Sequence, residues 1–130
     1  MAAIPNFATT PREGVVSVST ANTARDGTGT IATVLTAGAS GTKIDEITLA
    51  ATADPADSTV TLFIHDGTTA QYFDEIDLGD PAAGSATLAP YRSTKAYANL
   101  VLPTGFSLRA AITVALTSGV MKVHAHGADF

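Results

Sequence analysis

Residues 58–78 read STVTLFIHDGTTAQYFDEIDL. Val60, Leu62 and Ile64 alternate with Thr59, Thr61, Phe63 and His65, a period of two that puts one apolar face and one mixed face on an extended strand. Asp66-Gly67 then breaks the run before a second segment rich in Tyr, Phe and Ile. An Asp-Gly pair between two such segments is a strong hairpin signal, because both residues tolerate the backbone a tight reversal needs. The second arm slips phase: Phe73 and Ile76 are three apart, which predicts an irregularity at Asp74-Glu75.

The same theme extends in both directions. Upstream, strands are expected over 14–20 (Val16 and Val18 on one face), 30–37 and 43–53. In the last of these Ile47, Leu49 and Ala51 share a face while Ile44 is out of phase, so a bulge is expected near Asp45 and Glu46. The triplet Asp-Glu-Ile occurs at both predicted irregularities, 45–47 and 74–76. Downstream, 79–94 is the longest break, with Gly79, Pro81, Gly84 and Pro90. Strands follow at 95–102, where a short helix from Ser93 is the competing reading, at 106–116 and at 120–126. In 106–116 the residues Phe106, Leu108, Ala110, Ile112, Val114 and Leu116 are expected inward. Eight strands at this spacing predict an all-β, antiparallel two-sheet sandwich of jelly-roll type. Residues 1–13, broken by Pro5 and Pro11, are expected as an extended N-terminal arm ahead of a single domain over 14–130.

The chain has 130 residues, enough for one domain that buries about two-thirds of its unfolded surface without staples. It has no cysteine, which fits a reducing compartment. Only 15% of residues are charged and the net charge is −5 with no basic cluster, which argues against nucleic acid or an anionic membrane as partner. The first residues lack the basic and apolar regions of a signal peptide, and no apolar run approaches the ~20 residues of a membrane helix.

Patterns that carry chemistry are scarce. His124-x-His126 puts two imidazoles on one strand face, with His65 as a conceivable third metal ligand, but the pair shares that face with Lys122 opposite Met121 and Val123. A solvated or interface face accounts for it without a metal. Asp74, Glu75, Asp77 and Asp80 lack calcium-loop spacing and read as charges guarding a strand edge. There is no nucleophile elbow and no phosphate-binding loop, since the glycines of 26–29 lead into a strand, not a helix. No catalytic residue, metal or cofactor is expected.

Several stretches together resemble small structural proteins of tailed-bacteriophage virions: PREG at 11–14, ARDGTG at 24–29, TAGASGTKI at 36–44, LFIHDGT at 62–68, Glu75-Ile76, LPTGFSLR at 102–109 and the ending AHGADF at 125–130. The resemblance implies a jelly-roll capsid decoration (cement) protein, often a homotrimer, with the major capsid protein as partner. It implies a place on the capsid surface after assembly in the host cytoplasm, and no catalytic residues. Ile4, Phe7 and Arg12 of the arm, with Tyr91 and Arg92 of the long loop, are the expected partner contacts. Two other readings stay open. A tail or fibre module binding receptors or carbohydrate would use Tyr72, Tyr91 and Tyr97, and a cupin-like metal enzyme would need the three histidines to converge.

Overall fold

The computed structural model describes residues 7–55, 57–79, 84–116 and 118–130. Eight strands form, β1 (Thr10–Val18), β2 (Ala32–Thr36), β3 (Thr42–Ala51), β4 (Thr59–His65), β5 (Ala70–Asp77), β6 (Arg92–Leu102), β7 (Ser107–Ile112) and β8 (Met121–Asp129). They pair antiparallel into two four-stranded sheets, ordered β1-β8-β3-β6 and β2-β7-β4-β5. This order, in which every consecutive pair but the β4–β5 hairpin switches sheets and the first strand pairs with the last, is the jelly roll that the strand spacing predicts.

The inner faces hold the core. Ile47, Leu49, Val60, Leu62, Leu108, Ile112, Met121 and Val123 have no exposed surface. Each is apolar at the parity read from the sequence, and burying a side chain of this size is worth roughly 1.5–3 kcal/mol. Edges meet as well as faces. β1 passes so close to β2 that a methyl on Gly14 would stand 2.2 Å from the carbonyl oxygen of Val34, so only glycine fits there.

Both predicted irregularities exist. Ile44 pairs with Gly127 and Glu46 with His126, leaving Asp45 as the extra residue of a bulge against β8. On its other side β3 faces Leu100 and then Ala96, so Tyr97, Ala98 and Asn99 loop out of register, Asn99 at φ 60°. Along β5, Phe63 pairs with Tyr72 and Leu62 with Asp74, which makes Phe73 the extra residue, one position before the expected pair. Both Asp-Glu-Ile triplets therefore sit at or beside a register shift.

Several boundaries move. β1 starts at Thr10, not Gly14, so residues 10–13 of the expected arm lie in the sheet, paired with 126–129. β6 starts at Arg92 and is strand throughout, which removes the helix alternative. β7 stops at Ile112 instead of 116, because Thr113 turns to bond Thr59 through both its backbone and its hydroxyl. Val114 is consequently 41% exposed and not inward. The hairpin reverses over four residues, 66–69, held by the Asp66 carboxylate accepting from the N–H groups of Thr68 and Thr69.

The β1–β2 connection, residues 19–31, leaves one sheet and crosses the outer face of the other. Asn22 N–H bonds to Ile112, Arg25 pairs with Glu75, and Gly27 lies against the backbone of Ala70. The Asn22 side chain braces this excursion, donating to the carbonyls of Thr28 and Thr30 at 2.9 and 3.0 Å and accepting from Ala24 N–H. Beneath it Phe63, Thr61 and Ala111 are buried although their parity points away from the core.

Candidate functional site

With one outer face roofed, the other is left open by the described residues. The outward positions of β1-β8-β3-β6 form rows across the four strands. One row runs Ser17, Lys122, Ala50, Arg92. The next runs Val15, His124, Thr48, Thr94, with the two threonine hydroxyls 2.9 Å apart. The third runs Glu13, His126, Glu46, Ala96. A shallow hollow of about 210 Å³ lies here, lined by Glu13, Thr48, Ala50, Arg92, His124 and His126.

The His-x-His pair is therefore on a surface, as the strand parity requires. Its rings stack, with centroids 6.1 Å apart and planes within 5°. Glu13 from the neighbouring strand stands 3.2 Å from Nδ1 of His124 and 3.8 Å from Nδ1 of His126. His65 is on the other sheet, its Nδ1 accepting from Gly67 N–H at 3.1 Å, so the three imidazoles do not converge. Among the described residues no group of three His, Cys, Asp or Glu side chains is placed to hold a metal ion.

The expected contact residues separate. Arg92 lies exposed on the open face, whereas its neighbour Tyr91 turns inward and packs against the core. Arg12 is engaged within the chain: its guanidinium donates to Asp129 at 2.8 Å and to the Thr36 carbonyl at 2.9 Å. Phe7 is 71% exposed and borders a second hollow of about 370 Å³ with Val101, Ala128, Phe130 and the pair Lys43–Asp45. Ile4 lies outside the described residues.

The acids of β5 have partners instead of guarding a bare edge. Asp74 accepts from Lys95 at 2.5 Å and from the Tyr97 hydroxyl at 2.9 Å, joining the β5 and β6 edges of the two sheets. Phe73 and Tyr97 meet beside this pair in a tilted ring contact, centroids 5.6 Å apart. Partial burial pushes Asp74 upward, but the bonds from Lys95, from Glu75 N–H and from Tyr97 outweigh it and hold the carboxyl below its ordinary range. Burial first, and then Asp74, pushes the Tyr97 phenol well above its ordinary value. Asp77 accepts from Gly79 N–H, and Asp80 lies outside the described residues.

The charge census singles out the open face. Of the seven Lys and Arg residues, Arg12, Arg25, Lys43 and Lys95 are paired with acids. Arg92, Arg109 and Lys122 have no acid partner among the described residues. Arg109 bonds Ser107, and Lys122 donates to Ser17 at 2.6 Å. Two of these three cations thus share one row of the open face. Two rows away Glu46 also lacks an ion-pair partner among the described residues. Only the register of pairing brings Lys122, Arg92 and Glu46 together. The sequence signal was limited to Lys122 sharing the parity of the histidines.

No protein-family model and no curated protein sequence matches the chain. Among solved structures it is similar to a chain of the acidic stable capsid structure of Helicobacter pylori bacteriophage KHP30, with 18% identity and a TM-score of 0.53 over 92% of this chain and 87% of that one. It is also similar to a chain of the cyanophage Pam1 capsid asymmetric unit, with 22% identity over 100% and 94% and a TM-score of 0.44. At these identities the likeness is one of fold, and the KHP30 comparison extends it over nearly the whole of both chains.

Proposed function

We propose that this chain is a non-enzymatic structural protein of a tailed-phage virion, a capsid decoration module that bridges and stabilises shell subunits. The observation that carries the reading is the likeness to the KHP30 capsid chain, which spans nearly all of both molecules. The two chains thus share a jelly roll over nearly all of the residues compared, as suits a module set on a shell. The pairing of the β5 acids within the chain agrees with a structural role for them.

In this reading the protein is a homotrimer on the outside of the head, with the major capsid protein as its partner. The segment ahead of β1, with Ile4 and Phe7, grips the shell, and Arg92 adds a contact from the open face. Many weak contacts of this kind add through multivalency. Arg12 supports the grip from behind by holding the start of β1 to Asp129.

The test is co-sedimentation with undecorated capsids and the melting temperature of the capsids. Full-length protein should co-sediment and raise that temperature. A variant lacking residues 1–9, which spares every paired residue of β1, should lose most occupancy while keeping its circular dichroism. Capsids that ignore the full-length protein would overturn the reading and turn attention to a tail or fibre module, for which glycan binding is the next measurement.

A further inference from the structure

We infer that the open face of β1-β8-β3-β6 docks a second copy of itself, through a two-fold axis lying along the row of Val15, His124, Thr48 and Thr94. The argument begins with the order of charge along the strands. Lys122 and Arg92 stand in one row, Glu13 and Glu46 in another, and the row between them carries no permanently charged side chain. Lys122 and His126 are four residues apart on β8, roughly 13 Å at the rise of a strand. A two-fold in the plane of the interface, running across the strands at the middle row, reverses strand direction but keeps β8 over β8. It sets Lys122 of one copy over His126 of the other, in the slot between that copy's Glu13 and Glu46. Arg92 falls beside Glu46 in the same way.

Residues on the axis meet their own copies, so a full charge there would repel itself. The middle row avoids this with a valine, two threonines and an imidazole. Thr48 is itself buried, and its hydroxyl is already bonded to Thr94, so that row leaves little polar demand unmet. Among the described residues Lys122, Arg92 and Glu46 have no counter-ion in their own chain, and this arrangement supplies one to each. The opposite sheet cannot do the same, because residues 19–31 cover it. Three rows of four positions are fewer than the roughly 20–30 residues a side of a stable interface. The contact is accordingly weak for one pair and gains from repetition on a particle, where it would link neighbouring trimers across two-folds.

Sedimentation velocity of the isolated protein over a wide concentration range tests this with no capsid present, so its outcome is separate from that of the capsid-binding experiment. The base species should double in mass at high concentration, and more salt should weaken the doubling. Lys122→Glu and Glu46→Lys should each weaken it at least tenfold, while a mixture of the two variants, or the double variant, should restore it. Both positions are at the surface, and circular dichroism checks that each variant is folded. Absence of doubling, or doubling that ignores both substitutions, would overturn the inference. So would variants that lose capsid binding with self-association unchanged, since the face would then belong to the shell.

Discussion

Arg12 and Asp129, 117 positions apart, meet at 2.8 Å and tie the first strand to the last. Asp129 also accepts from the Thr42 hydroxyl at 2.5 Å, and that hydroxyl accepts from Gly38 N–H. Arg12 in turn reaches the Thr36 carbonyl, so one carboxylate organises β1, β2, β3 and β8 at the end of the sandwich where the terminal strands begin and finish.

This cluster makes stability depend on acid. The bonds from Thr42 and then from Arg12 hold the Asp129 carboxyl below its ordinary value, and Asp74 is lowered too. A carboxyl lowered in the folded state binds fewer protons there than in the unfolded chain, so its contribution is complete above the unfolded value of about 4 and is lost as pH falls below it. Thermal melts from neutral pH downward should show a falling midpoint below about pH 4. Asp129→Asn should melt a few degrees lower at neutral pH and lose less on acidification.

At the opposite extreme of pH the Tyr97 phenol governs. Because the folded state keeps its proton, stability should decline above about pH 10, where the unfolded phenol ionises. Near-ultraviolet titration of the folded protein should show one of the three tyrosines resisting ionisation in the ordinary range. Tyr97→Phe should abolish that resistance and cost about 0.5–1.5 kcal/mol in chemical denaturation, because the partly buried site leaves solvent some share in screening the bond it loses.

Gly127 lies opposite the Asp45 bulge, where a methyl would stand 1.9 Å from the carbonyl oxygen of Lys43. Backbone cannot yield as a flexible side chain does. Gly127→Ala should therefore cost about 1–3 kcal/mol in urea unfolding, as overpacking does elsewhere. A neutral result would mean that the bulge relaxes freely.

Asn22 is 7% exposed and makes three side-chain bonds within the 19–31 connection. Asn22→Ala leaves two carbonyls and one N–H short of partners, which should cost about 1–3 kcal/mol. The loss should be local. Amide exchange should accelerate in 22–31 and over Phe63, and limited proteolysis should cut that connection, while β3 and β8 stay protected.

Much of the architecture is legible in local patterns. Alternation of apolar residues marks all eight strands, and a break in phase at Ile44 reveals the bulge at Asp45. Ends are less legible, since Thr113 leaves its strand for a bond to Thr59 that lies 54 residues away. Phe63 and Ala111 read as outward residues and are buried, because the segment that covers them belongs to another part of the chain. Arg12 reads as a free basic residue on an arm, but its counter-ion comes from the other end of the sequence.

The sequence by itself determined which segments are strands and which of their faces are apolar, since alternation and turn chemistry act over a few neighbouring residues. The tertiary structure alone decided the order β1-β8-β3-β6, the roof over one sheet and the open face on the other. It also set the rows that align Lys122 and Arg92 on one side of His124 and Glu13 and Glu46 on the other. Such rows arise from hydrogen-bonded register between strands far apart in the chain, and register depends on how the whole core packs, not on any local run of residues.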